Sequence, residues 1–121
     1  MDAALPVLDL EHLSRLCQLT GADGPGKLAE LFRFFLDSVP PQLERMRQLL
    51  ARSEWAPLAR EAHALAGSSA MYGMPRVRLR CKALEGQAKE PVPLGMGELL
   101  AAVETAFAEA LPLLRAEMAL E

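Results

Sequence analysis

Residues 54–88 read EWAPLAREAHALAGSSAMYGMPRVRLRCKALEGQA. Leu, Ala, Glu, Arg and Met dominate this stretch, and β-branched residues do not alternate with polar ones, so it reads as helix rather than strand. Ser53 is a suitable N-cap and Pro57 falls in the first turn, where a missing N–H costs little, which predicts a helix over 54–71. Gly73 closes it. A second helix is predicted over 75–88, opening on Pro75 and burying Val77, Cys81, Leu84 and Ala88. Joined by so tight a turn, MYGMP, the two helices are predicted to pack antiparallel.

The helical pattern extends outward from this pair. Upstream, residues 27–51 place Leu28, Leu31, Phe32, Phe35, Val39, Leu43, Met46 and Leu50 at the three-and-four spacing of one buried face. Pro40 and Pro41 interrupt the pattern, yet the apolar phase continues across them, so one helix kinked at the prolines is expected rather than two. A short helix over 9–19, with Leu10, Leu13, Leu16 and Cys17 as its apolar stripe, ends at TGADGPG and reads as a lid on the core. Downstream, EPVPLGMG is a linker. A last helix is predicted over 97–118, with Leu100, Val103, Phe107, Leu111 and Leu114 inward and Pro112 bending its end. The expected fold class is all-α: a single domain over 1–121, built as an up-and-down antiparallel four-helix bundle with a short N-terminal capping helix.

Composition excludes several functions. The 121 residues carry a net charge of −3 with both signs interspersed, which is not the basic footprint of a nucleic-acid binder. No apolar run approaches the roughly 20 residues that span a bilayer, and the N-terminus bears acids where a secretory signal bears bases. The chain is expected to be a cytoplasmic monomer, and Met1 and its short length read as a freestanding protein. Cys17 and Cys81 are expected to be buried thiols rather than a disulfide. The only histidines, His12 and His63, have no Cys or carboxylate at ligand spacing, so neither metal nor cofactor is expected on this chain.

Chemistry concentrates around His63. On a helical wheel Leu58, Ala62, Leu65, Ser69 and Tyr72 fall within about 40° of one direction, the core, and His63 points roughly 140° away. Its side of the helix carries Ala59, Arg60, Ala66, Gly67 and Ala70, a face of small residues around one imidazole. A central Gly costs about 1 kcal/mol in helix propensity, so Gly67, one turn beyond His63, reads as access for a docking protein. The plainer reading, an unemployed histidine on an Ala-rich surface, fits the wheel equally well. On the next helix Arg78, Lys82, Glu85 and Lys89 share one flank. In an antiparallel pair Glu85 comes alongside His63, where a carboxylate accepting from Nδ1–H leaves Nε2 unprotonated and nucleophilic. Without the histidine opposite, Lys82 and Glu85 would read as a solvated pair.

The segment AHALAGSSAMYGMPRVRLRCKALEGQ, residues 62–87, resembles the signature of histidine-containing phosphotransfer (HPt) domains. That signature runs His, any residue, Leu, Lys, Gly, small residues, Gly, and further on Leu, Cys, Leu and Glu; here it is met by His63, Leu65, Gly67, Ser68, Ser69, Gly73, Leu79, Cys81, Leu84 and Glu85. LFRFFLDSVPPQLERMRQLL, residues 31–50, is similar to the preceding helix of that family, so the resemblance covers about residues 10–115. It implies a phosphorelay intermediate without kinase activity. His63 would accept a phosphoryl group from an aspartyl phosphate of a receiver domain and pass it to a response-regulator receiver, with a hybrid sensor histidine kinase upstream and Mg²⁺ supplied on the receiver. The position of Glu85 holds Gln or Glu in the family.

One position departs from the pattern. The family's Lys three residues after the histidine, which contacts phosphoryl oxygens, is here Ala66. Its loss should cost on the order of 1 kcal/mol of phosphohistidine stabilisation. Arg60, Lys82 and Lys89 are the candidate replacements, Lys82 foremost because it lies one turn from Glu85. Docking of the partner is assigned to Ala59, Arg60, Ala66, Gly67, Ser68, Ala70, Arg78 and Lys89. The alternative is a non-phosphorylated helical module that docks a receiver or histidine kinase and modulates it; the presence of His63 and Glu85 argues against that.

Overall fold

Leu, Ala, Glu and Arg fill helices at little conformational cost, and five helices account for most of the residues that the computed structural model describes, 5–19 and 24–120. They are α1 (Leu10–Leu19), α2 (Gly24–Ala51), α3 (Trp55–Met71), α4 (Pro75–Ala88) and α5 (Met96–Glu117). The described residues contain no strand. Helices α2 to α5 form a four-helix bundle in which each packs on its neighbour in sequence and α5 returns against α2. The α3–α4 pairing is the most extensive, and α1 rests on α2 outside the ring.

The buried face of α2 runs Leu28, Phe32, Phe35, Leu36, Val39, Leu43 and Met46, and it meets Leu58, Leu65, Val77, Leu84, Val103 and Leu114 of the other helices. Tyr72 closes one end of this core: its ring stacks on Phe35 at 4.3 Å and meets Phe32 edge-on at 4.8 Å. Such ring pairs add about 0.5–1.5 kcal/mol each beyond their area. Helix α2 runs unbroken through Pro40 and Pro41, both of which lie on its exposed side. Three members of the expected stripes, Leu31, Leu10 and Cys17, sit elsewhere. Leu31 is 53% exposed, because the three-and-four pattern of α2 is wider than the strip its neighbours cover, and Leu10 is 56% exposed, because α1 turns Leu13 and Leu16 toward the core instead. Cys81 is buried as expected and its thiol is pushed up to about 12 by that burial, whereas Cys17 is exposed on the outer side of α1.

Ser53 does not cap α3. It adopts a left-handed φ of 55°, with Ser53 N–H donating to Leu50 O and Glu54 N–H to Leu49 O, the paired bonds of a Schellman closure at the end of α2. The N-cap of α3 is Glu54, without a side-chain cap bond. Serine has the chemistry of a start signal, but with only residues 52–54 between two long helices the stop stays in control. Replacing Ser53 by glycine is expected to raise stability by about 0.5–1 kcal/mol, since glycine adopts this conformation without Cβ strain. Denaturant midpoints check this; a midpoint below that of the parent protein would show that the Ser53 hydroxyl outweighs the strain.

Candidate functional site

The turn between α3 and α4 sets the register of everything that follows. Gly73 takes φ +75°, Gly73 N–H donates to Ala70 O and Met74 N–H to Ser69 O at 2.8 Å, so α3 ends in a Schellman motif and α4 starts at once on Pro75. At 1.5 Å rise per residue, His63 lies about 15 Å before Gly73 and Glu85 about 18 Å after it. An antiparallel pair therefore brings the two to the same level.

There the imidazole and the carboxylate meet. His63 Nδ1 lies 3.1 Å from Glu85 Oε2. The histidine side chain is 68% exposed, while the glutamate is 9% exposed. Lys89 Nζ donates to the same Oε2 at 2.9 Å, and Lys82 Nζ donates to Oε1 at 3.1 Å. These lysines sit three residues before and four residues after Glu85 on α4, the spacings that share one helix face. The Lys89 bond is the largest influence holding the Glu85 carboxyl down, to about 2, with Lys82 adding to it against the opposing effect of burial. An ionised carboxylate only accepts, so Nδ1–H is the donor and the neutral ring keeps its lone pair on Nε2.

A groove of about 630 Å³ opens beside the imidazole, lined by Ala56, Ala59, Arg60, His63, Glu85 and Lys89. It runs toward the N-terminal side of α3, over the turns preceding His63. Small alanine side chains form its wall, and Arg60 and Lys89 give it a cationic rim. Ala56 is a groove residue that carries no chemical signal in the sequence; its exposure follows from its position one turn before Arg60.

The other predicted site residues divide. Gly67, Ala70, Arg60, Arg78 and Lys89 are exposed, of which Arg60 and Lys89 line the groove with His63, and Ser68 is half-buried with its hydroxyl donating to Ala64 O at 3.2 Å. Lys82 is partly exposed and bonds Glu85, but it does not line the groove. Ala59 and Ala66 are placed differently from the expectation: they are 5% and 3% exposed and belong to the core. The physical reason is that α3 packs on both α2 and α4, so its buried arc is broader than a single-neighbour wheel allows. Neither can offer a docking partner more than an edge. Ala59 still contributes to the groove wall, whereas Ala66 lies beneath the surface.

Two contacts from α1 hold the turn that sets this register. His12 Nε2 donates to Met71 O at 2.7 Å and Asp9 N–H to Gly73 O at 2.9 Å, which ties α1 to the α3–α4 turn. Asp9 also caps α1, its carboxylate accepting from His12 N–H at 3.0 Å. Among the described residues no group of three or more His, Cys, Asp or Glu side chains is placed to hold a metal ion.

Among known families, the Hpt domain matches residues 30–118, most of the chain. Comparisons with curated proteins and with solved structures give no match.

Proposed function

The chain belongs to the Hpt domain family, whose members are phosphocarrier modules of two-component phosphorelays, and from that premise we propose that His63 is its phosphoacceptor. The observation that carries the reading is the exposed imidazole whose Nδ1–H is committed to an ionised carboxylate. Nε2 attacks the phosphorus of a receiver's aspartyl phosphate in line; the N–P bond forms as the P–O bond to the aspartate breaks, and the aspartate leaves as carboxylate. No proton need move in this step. The ring becomes a cation carrying phosphoryl on Nε2 and hydrogen on Nδ1, and Glu85 faces that charge. The reverse step delivers the group to the aspartate of a second receiver. Mg²⁺ and the remaining catalytic groups belong to the receiver.

The phosphoryl charge needs cations, since Ala66 supplies none. Arg60 and Lys89 line the groove with His63 and are the groups we assign to that role, with Lys82 acting from the far oxygen of Glu85. Receiver domains and a hybrid histidine kinase are the partners of this reading, docking over Gly67, Ala70 and the rim formed by Arg60 and Arg78. It treats the domain as a cytoplasmic monomer; no helix of the described residues is long and apolar enough to cross a membrane.

Incubation with a phosphorylated receiver tests the assignment. The parent protein is expected to take up acid-labile, alkali-stable label, and His63→Gln none, with the helical circular dichroism of the two superimposable because the side chain is largely solvent-exposed. Label retained by His63→Gln would remove His63 from the acceptor role.

A further inference from the structure

A glutamate and a glutamine both hold an imidazole by Nδ1–H, but they differ in charge. A carboxylate within hydrogen-bond distance favours the imidazolium, which has no lone pair with which to attack phosphorus. Orientation by Glu85 therefore carries a liability: the residue that points the ring also tends to protonate it. The same position on α4 answers the liability. Glu85 Oε2 is shared between His63 Nδ1 and Lys89 Nζ, and Oε1 is taken by Lys82 Nζ. Two ammonium groups face one carboxylate, and Arg60 adds a further positive charge on the groove.

The surrounding charges leave this cluster on its own. Glu61 of α3 is bound by Arg45 and Gln42 of α2, and Glu104 of α5 is bound by Arg47 of α2. Among the described residues Glu85 is the only acid bonded to His63, and Lys82 and Lys89 bond no acid but Glu85.

We propose that Lys82 and Lys89 are positioning residues that clamp and neutralise Glu85, so that the carboxylate orients His63 without driving its protonation and the Nε2 lone pair is present at neutral pH. The clamp uses the α4 spacing of residues 82, 85 and 89 in place of an uncharged amide at position 85. It rests on the reading of His63 as acceptor. Both lysines are partly exposed, at 43% and 64%, so solvent screens their field and the effect is a fraction of a pH unit to about one unit rather than several.

A titration cycle on the full chain tests it, following the ring protons of His63 by NMR with His12 as internal reference. Four proteins are compared: the parent, Glu85→Gln, the double variant K82M/K89M, and the triple variant carrying all three changes. If the lysines only add remote positive charge, Glu85→Gln lowers the His63 pKa equally with and without them. If they clamp the carboxylate, Glu85→Gln lowers it by at least about half a unit more in the lysine-free background. In K82M/K89M the plateau of the transfer rate is expected to fall with the loss of two phosphoryl-facing cations, and the position of its acid limb, read independently of that plateau, to move to higher pH by the same amount. Equal Glu85→Gln shifts in the two backgrounds overturn the clamp, as does an unmoved acid limb. The readouts also separate the two readings. A positive titration cycle in a protein that takes no label from phosphorylated receivers would overturn the acceptor role, on which the clamp's purpose depends, while label uptake with a null cycle would overturn the clamp alone.

Discussion

Replacing Gly67 by leucine is expected to lower the rate of phosphoryl transfer from a phosphorylated receiver by about 100-fold or more, while the protein becomes no less stable. The two halves of that result have separate causes. Gly67 is exposed, and a Cβ built there meets nothing within 4 Å, so a side chain is accommodated without disturbing the bundle. Glycine in mid-helix costs about 1 kcal/mol relative to alanine, and leucine has nearly alanine's propensity, so Gly67→Ala and Gly67→Leu should both raise the unfolding midpoint. Function should move the other way. Helical side chains point back toward the N-terminus and cover the turn before their own Cα, and the turn before position 67 carries His63. Leucine there would roof the imidazole. A displacement of about 1 Å in the approach of reacting groups costs on the order of 100-fold, and a branched side chain over the acceptor imposes at least that. Alanine adds only a methyl group and should cost much less. Transfer by Gly67→Leu within about threefold of the parent rate would refute the idea that this glycine is kept for access.

The sequence made that argument possible because Gly67 and His63 lie on one helix, where spacing alone determines who shares a face. Relations of that kind were legible throughout: the all-α class, the number of helices, and the approach of Glu85 to His63 across a short turn ending in Gly73. Relations that depend on the number of neighbours were not. Ala59 and Ala66 read as surface because a wheel assumes one packing partner, and α3 has two. Leu10, Leu31 and Cys17 read as core because apolar periodicity marks a possible buried face wider than the one the bundle covers. Ser53 misled for a different reason. A residue with N-cap chemistry stands in the single position where α2 must reverse, and the backbone geometry of the stop overrides the side-chain preference for a start. The sharing of Glu85 Oε2 by Lys89 and His63 was hidden as well. The lysine's position on the helix was visible, but which oxygen it takes depends on where the imidazole sits, and that is known only once the two helices are packed.

Gly73→Ala is expected to destabilise the protein by about 2–4 kcal/mol. A first contribution is conformational: at φ +75° an L-residue with a Cβ costs about 1–2 kcal/mol. A second is steric. The added Cβ would stand 2.8 Å from both Cγ and Cδ2 of Leu13, inside van der Waals contact. Leu13 is 2% exposed, the only fully buried residue of α1, so its side chain has little room in which to withdraw. Pushing Leu13 away also strains the bonds from Asp9 N–H to Gly73 O and from His12 Nε2 to Met71 O that fasten α1 to the turn. The two contributions can be separated by denaturant unfolding of Gly73→Ala, Leu13→Ala and the double variant. Leu13→Ala alone should cost about 2–4 kcal/mol, as a buried leucine truncated in a packed core does. In the double variant the clash is gone and only the dihedral strain remains, so its loss should fall short of the sum by at least about 1 kcal/mol. Strict additivity would mean that α1 does not press on the turn, and that Gly73 is required for its backbone conformation alone. The coupling matters for the site because this turn sets the register between His63 and Glu85. A variant that relaxes it should lengthen or break the contact between Nδ1 and Oε2 even in the molecules that stay folded, and their transfer rate should fall with it.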